Sequence, residues 1–114
     1  MPKSFIQITP EQMAKPDYQS EYILTLNLNP DQLKQRAAIE FSEKKIETLK
    51  YWVAALKDPD YDYVFELSSA INNAPKVTDI SVWGQSIDPR EAYTVLCQLL
   101  DLRPSEITWI SESI

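Results

Sequence analysis

The sequence predicts a small α+β or α/β fold in which helices pack on a three- or four-stranded sheet. Two observations support this class. Segments with the two-residue alternation of a strand, such as residues 21–29, are interspersed with segments whose apolar residues have helical spacing, such as residues 89–100. The chain has 114 residues, 44% of them hydrophobic, which suits a single globular domain over residues 1–114.

The N-terminal part is predicted to form a short strand, a helical turn and a second strand. Residues 4–9 alternate as a strand does, and Thr9 is a suitable cap for a turn that starts at Pro10. Gln12 is placed to complete a capping box with Thr9. Residues 21–29 alternate most regularly and predict the best-defined strand. One face of it would carry Tyr22, Leu24, Leu26 and Leu28.

The middle of the chain, residues 30–57, is predicted to be one long helix. The apolar residues that would share one arc of it are Ala38, Phe41, Ile46, Leu49, Trp52, Val53 and Leu56. Leu33 and Ile39 lie off this arc. A second interpretation is therefore open, in which the helix breaks near residues 41–42 and Ser42 caps a shorter helix.

Residues 59–72 also have two interpretations, of which we favour the helix. Its inner face would consist of Val64, Leu67, Ser68 and Ile71. A strand would instead alternate at Tyr61, Tyr63, Phe65 and Leu67. The pattern then predicts a loop over residues 72–75 and a strand over residues 76–83. That strand would carry Thr78, Ile80 and Val82 on one side.

The C-terminal part opens with a strong helix start. Asp88 is the expected cap, Pro89 follows it, and Glu91 occupies the third helical position. The apolar stripe of this helix would be Ala92, Val95, Leu96, Leu99 and Leu100. Residues 105–111 are predicted to be a strand or a short helix.

Residues 96–113 carry a further pattern. Its characteristic positions are Leu96, Cys97, Leu100, Asp101, Ile107 and Ile110. The segment resembles the helix–turn–helix of phage-repressor-type DNA-binding proteins, and the resemblance implies a transcription regulator that uses residues 89–113. In such a recognition helix, the phosphate backbone of DNA would repel Glu106, and Arg103 would be the only nearby cation. We therefore favour a helix followed by an edge strand.

The composition excludes several kinds of chemistry. There is no histidine, and one cysteine and one glycine are present, so we expect no metal site, no cofactor, no phosphate-binding loop and no enzymatic activity. The net charge of −6 argues against binding to nucleic acid or to an anionic membrane. A single cysteine and an N-terminus without a long apolar run lead us to expect a cytoplasmic protein.

The segment DPDYDYVFE, residues 58–66, is the candidate partner-binding site. Its residues of interest are Asp58, Asp60, Tyr61, Asp62, Tyr63 and Glu66. The three aspartates resemble the start of an EF-hand calcium loop, but Tyr63 and Ser69 stand where that loop needs glycine and glutamate. Because carboxylates are costly to bury, the aspartates are expected to face water. Acids beside aromatic rings suit a basic protein partner.

The sequence therefore predicts a small, acidic, non-catalytic protein–protein interaction domain, of a regulatory, adaptor or assembly type. Two alternatives are kept. One is the helix–turn–helix regulator, and the other is an acidic inhibitor or immunity-type protein that blocks a basic site.

Overall fold

The structure, a computed structural model, describes residues 5–13, 17–71 and 77–114. The helices of this part are α1 (Pro10–Met13), α2 (Pro30–Ala37) and α3 (Pro89–Leu100), with a 3-10 turn at Pro104–Glu106. The strands are β1 (Ile6–Ile8), β2 (Gln19–Leu26), β3 (Ser42–Ile46), β4 (Leu49–Lys57), β5 (Val64–Ala70), β6 (Thr78–Gly84) and β7 (Ile107–Ile110).

The predicted fold class, a small α+β or α/β domain with helices packed on a three- or four-stranded sheet, is wrong. In the described residues, seven strands form one sheet, and all of its pairings are antiparallel. The order across it is β4, β5, β6, β2 and β7, while β1 and β3 both pair with the other edge of β4. The helices are short, with 4, 8 and 12 residues. The molecule is therefore dominated by its sheet.

One side chain joins the two strands that share the edge of β4. The amide of Gln7 in β1 accepts a hydrogen bond from the backbone N–H of Glu40 at 3.0 Å and donates one to the backbone oxygen of Glu40. Glu40 leads into β3. The carboxamide thus makes the pair of bonds that a neighbouring backbone would make.

The predicted long helix over residues 30–57 is also wrong. The helix ends at Ala37, and β3 and β4 form a hairpin in place of its second half. The alternative break near residues 41–42 is also wrong, because the helix ends four residues earlier and Ser42 begins a strand rather than a helix. Residues 53–56 are all buried because β4 has a neighbour on each side and is covered on both faces. Such a strand is an apolar run without period two, which also fits a helical arc.

The favoured helix over residues 59–72 is wrong, because its described part contains the strand β5, Val64–Ala70, instead. Phe65 and Leu67 in β5 are fully buried, as the alternating interpretation required. The described part of the strand predicted over residues 76–83 is confirmed as β6, Thr78–Gly84, with Thr78, Ile80 and Val82 buried on one side. The predicted loop at residues 72–75 lies outside the described residues.

The predicted strand over residues 21–29 is confirmed as β2, but one of the four residues assigned to a common face, Tyr22, lies on the other face. A β-bulge interrupts the pairing between Tyr22 and Leu24. As a result, Ile23 and Leu24 are both fully buried, and Tyr22 turns to the opposite face, where it is 44% exposed.

The N-terminal and C-terminal predictions are largely confirmed. Residues 6–8 form β1, and the Gln12 side chain accepts from the Thr9 backbone N–H at 2.9 Å, which closes the predicted turn. The Asp88 side chain accepts from the backbone of the first turn of α3, and the predicted apolar stripe of that helix is buried. The helix–turn–helix interpretation is wrong because residues 107–110 form an edge strand paired with β2.

The core lies between one face of the sheet and the helices α2 and α3. Its largest fully buried side chains are Ile23, Leu24, Leu26, Leu33, Ile39, Leu56, Phe65, Leu67, Ile80, Leu96, Leu99 and Leu100. The opposite face has a smaller buried cluster, Ala55 and Val64, against which Ile8, Tyr18 and Trp83 pack. Among the described residues, no helix is long and apolar enough to cross a bilayer.

Candidate functional site

Strands β2, β5, β6 and β7 present a polar and aromatic surface on the sheet face opposite α2 and α3. Asp79, Ser81 and Trp83 alternate along β6 with buried core residues. The register places Ser81 beside Glu66 and Tyr22, and Thr25 between Asp79 and Trp109. Since paired residues lie on the same face of a sheet, these side chains share one surface. We call it the aromatic–carboxylate face and define it as Tyr22, Glu66, Asp79, Trp83 and Trp109.

Two aromatic rings stack at the β2–β7 end of this face. The rings of Tyr22 and Trp109 have centroids 4.6 Å apart and planes inclined at 29°. Each side chain is 44% exposed. Tryptophan and tyrosine in such positions are enriched among the residues that carry binding energy at protein interfaces.

Asp79 holds its carboxylate beside this aromatic pair. Its Oδ1 accepts hydrogen bonds from the Tyr22 hydroxyl at 3.0 Å and from Thr25 Oγ1 at 2.8 Å. The two hydroxyls are also in hydrogen-bond contact with each other. Burial raises the pKa of the Tyr22 phenol, and the hydrogen bond to Asp79 raises it further, against a lowering effect of Thr25. The phenol therefore keeps its proton at neutral pH and fixes the carboxylate.

Glu66 and Trp83 continue the face toward the end of the sheet. The Trp83 indole Nε1 donates to Glu66 Oε1 at 3.2 Å. Trp83 packs in the small cluster that also includes Tyr18. The Tyr18 hydroxyl donates to Asp62 Oδ1 at 2.6 Å, and this hydrogen bond is the main reason that the pKa of Tyr18 rises to about 12. The contacts thus connect the face with the loop of residues 58–63.

Two of the residues predicted to bind a partner point inward. Asp58 is fully buried, and its Oδ1 accepts from the backbone N–H groups of Asp60 at 2.8 Å and Tyr61 at 2.9 Å. The expectation that all three aspartates face water is therefore wrong for Asp58. Tyr63 is also buried, and its hydroxyl donates to Glu91 at 2.8 Å. Both residues hold the loop in shape.

The other predicted residues lie at the surface. Asp60, Tyr61 and Asp62 are exposed at the end of the sheet, and Tyr61 is 42% exposed. Glu66 is half-buried on the aromatic–carboxylate face. The predicted segment therefore does not form one surface. Asp58 and Tyr63 are buried, residues 60–62 are exposed in a loop, and Glu66 belongs to the aromatic–carboxylate face.

Sequence reasoning missed Tyr22, Asp79 and Trp109. It grouped Tyr22 with the leucines of its strand because a bulge has no simple sequence pattern. A usable signal was present in TDISVWG, residues 78–84, where Asp79, Ser81 and Trp83 alternate with core residues. The outer side of that alternation is the sequence signal for this surface.

The charge of this surface has one sign. Its charged members are Glu66 and Asp79, and the four adjacent strands β5, β6, β2 and β7 contain no lysine or arginine. In the same sheet, the lysines lie on β3, which carries Lys44 and Lys45, and on β4, which carries Lys50 and Lys57. A cation that approached the aromatic pair would therefore meet carboxylates.

Comparisons with protein-family models, with curated proteins and with solved structures returned no match to this chain. In the described residues, no group of three or more His, Cys, Asp and Glu side chains is placed to hold a metal ion. The function is consequently inferred from the chemistry of the face itself.

Proposed function

We propose that this chain is a non-catalytic, cytoplasmic protein–protein interaction domain that binds a basic segment of a partner through the aromatic–carboxylate face. The observation that carries the proposal is the stacked pair of Tyr22 and Trp109, half in water, beside the exposed carboxylate of Asp79. Its location in the cytoplasm is supported by the single cysteine of the chain.

The energetic argument rests on the aromatic pair. The exposed parts of the Tyr22 and Trp109 rings lose contact with water when a partner covers them, and truncation of such an anchor typically costs about 2 kcal/mol or more of binding energy. The two rings are already stacked, so little side-chain entropy is lost when the partner arrives.

The carboxylates supply the preference for a basic partner. Glu66 and Asp79 lie on strands without lysine or arginine, within a chain of net charge −6. Complementary charge of this kind accelerates association and discriminates against acidic partners. Asp60, Tyr61 and Asp62 are proposed to extend the surface, since Asp62 is joined to it through Tyr18.

A non-catalytic role is supported by the reactive groups that the chain contains. There is no histidine to serve as a general base. The single cysteine, Cys97, is half-buried in α3, and burial raises the pKa of its thiol, which disfavours the nucleophilic thiolate.

The proposal can be tested with an array of synthetic peptides of equal length that differ in net charge. We expect retention of the protein to increase with positive peptide charge and to decrease with added salt. The variant Trp109→Ala should weaken retention about tenfold or more. Leu49→Ala, which removes an apolar side chain 51% exposed on β4, serves as the matched control and should bind normally. Equal retention of acidic and basic peptides, or equal losses in both variants, would contradict the proposal.

A further inference from the structure

A single side chain, that of Tyr22, contacts both Trp109 and the Asp79 carboxylate. Tyr22 stacks on Trp109 with its ring and donates to Asp79 with its hydroxyl. A ring surface and a carboxylate oxygen are therefore held in a constant relation to each other. Thr25, which lies between Asp79 and Trp109 in the register, gives the carboxylate its second hydrogen bond.

We propose that Tyr22, Asp79 and Trp109 form a subsite for an arginine side chain of the partner segment. The guanidinium lies on the exposed aromatic surface, and its N–H groups donate to the Asp79 carboxylate. This inference rests on the proposed function and specifies the residue that the face recognises.

Arginine fits this arrangement better than lysine for a geometric reason. Its planar guanidinium stacks on an aromatic face while its N–H groups, which lie in the same plane, reach a carboxylate at the edge. A lysine ammonium is a compact, strongly hydrated charge that does not stack as a plane. In the described chain, both hydrogen bonds to the Asp79 side chain end on Oδ1, so Oδ2 is the oxygen that receives the guanidinium.

The fixed position of the carboxylate adds to this preference. Two hydroxyl donors hold Asp79, although the residue is exposed on its strand. A carboxylate that is already oriented loses less conformational entropy when it binds a guanidinium than a freely rotating one would. No lysine or arginine on the four neighbouring strands competes for it.

The test compares two basic peptides that are identical except that arginine in one is replaced by lysine in the other. Binding is measured by calorimetry with the full chain, and the indole N–H signal of Trp109 is followed by NMR, assigned by its loss in Trp109→Phe. We expect the lysine peptide to bind about tenfold more weakly, because its ammonium neither stacks as a plane on the rings nor offers the carboxylate the forked N–H donors of a guanidinium. The arginine peptide should shift the Trp109 signal more than the lysine peptide does.

Three variants test whether the preference for the arginine peptide over the lysine peptide depends on the subsite. Asp79→Asn and Trp109→Leu should bring the arginine and lysine peptides to nearly equal affinity. Tyr22→Phe keeps the ring and removes the hydroxyl, so a smaller loss of the arginine preference is expected. Asp60→Asn, outside the subsite, is the matched control and should weaken both peptides by the same factor. Thermal melts establish that each variant is folded. If Asp79→Asn or Trp109→Leu does not fold, Tyr22→Phe still tests whether the arginine preference depends on the subsite.

The outcomes separate this inference from the proposed function. Equal binding of the two peptides, with both dependent on Trp109, would overturn the arginine subsite and leave the interaction surface in place. A lack of binding by either peptide would overturn both. A shift of the Trp109 signal that depends on protein concentration, without peptide, would assign the face to a second copy of the chain and overturn the partner subsite.

Discussion

The backbone oxygen of Asp62 lies against Gly84, so close that a Cβ atom on Gly84 would be 2.8 Å from it. This approach holds the loop of residues 58–63 against the end of β6. We expect Gly84→Ala to lower the free energy of unfolding by about 1–3 kcal/mol, because backbone atoms must shift to accept the methyl group. Denaturant unfolding measures the change, with the exposed Ser86→Ala as control. A variant as stable as the parent would show that the loop does not pack here.

Asp58 is expected to stabilise the same loop from within. Its buried carboxylate accepts hydrogen bonds from the backbone N–H groups of Asp60 and Tyr61. Asp58→Ala should reduce the free energy of unfolding by about 1–3 kcal/mol, because it removes the acceptor of both N–H groups. Asp58→Asn, which retains an acceptor oxygen, should lose less. If thermal melts give equal losses for the two variants, the hydrogen bonds are not the cause.

Ala38 is expected to be a site where glycine stabilises the chain. It caps α2 in the left-handed conformation, with φ of 56°. An L-residue with a Cβ pays a steric cost there that glycine does not, so Ala38→Gly should raise the free energy of unfolding by about 1 kcal/mol. Ala37→Gly, one residue earlier and inside the helix, should instead lower it by up to about 1 kcal/mol. Chemical denaturation of the pair tests the opposite signs, and a loss in both variants would contradict the assignment.

The ion pair between Arg36 and Glu106 should make the free energy of unfolding depend on pH in the acidic range. Arg36 Nη1 donates to Glu106 Oε1 at 2.6 Å, and Nη2 contacts the second oxygen. This hydrogen bonding is the main reason that the pKa of Glu106 is lowered. The resulting stabilisation is complete above the ordinary glutamate pKa of about 4.3 and is lost as pH falls through the lower folded-state pKa.

The variant Glu106→Gln tests this dependence. It should lose about 1 kcal/mol of stability at neutral pH, a value kept small because the pair is partly exposed. As pH falls from the ordinary glutamate pKa through the lower folded-state pKa, its stability should approach that of the parent chain, because the parent then loses the same contribution. The exposed Glu112→Gln is the control. A constant difference between Glu106→Gln and the parent across this pH range would contradict the linkage.

Helix caps and apolar periodicity in the sequence correctly predicted α3 and β6. Asp88 and Pro89 predicted the start of α3, and the spacing of its apolar residues predicted its buried stripe. The alternation of residues 76–83 predicted β6, which is covered on one face and polar on the other. The same information failed for β4, because a strand buried on both faces has no alternation and its apolar residues also fit a helical arc.

The sequence by itself determined the caps of α1 and α3, and the strands and the helix whose apolar residues have a clear period. Only the tertiary structure decided that β4 and β5 are strands, that Asp58 is buried, and that Tyr22 leaves the core at a bulge. The candidate subsite joins Tyr22, Asp79 and Trp109 from three strands that are distant in the chain. The physical reason is that strand pairing depends on backbone hydrogen bonds between remote segments, and neither the partner nor the register of those bonds is encoded in a local pattern.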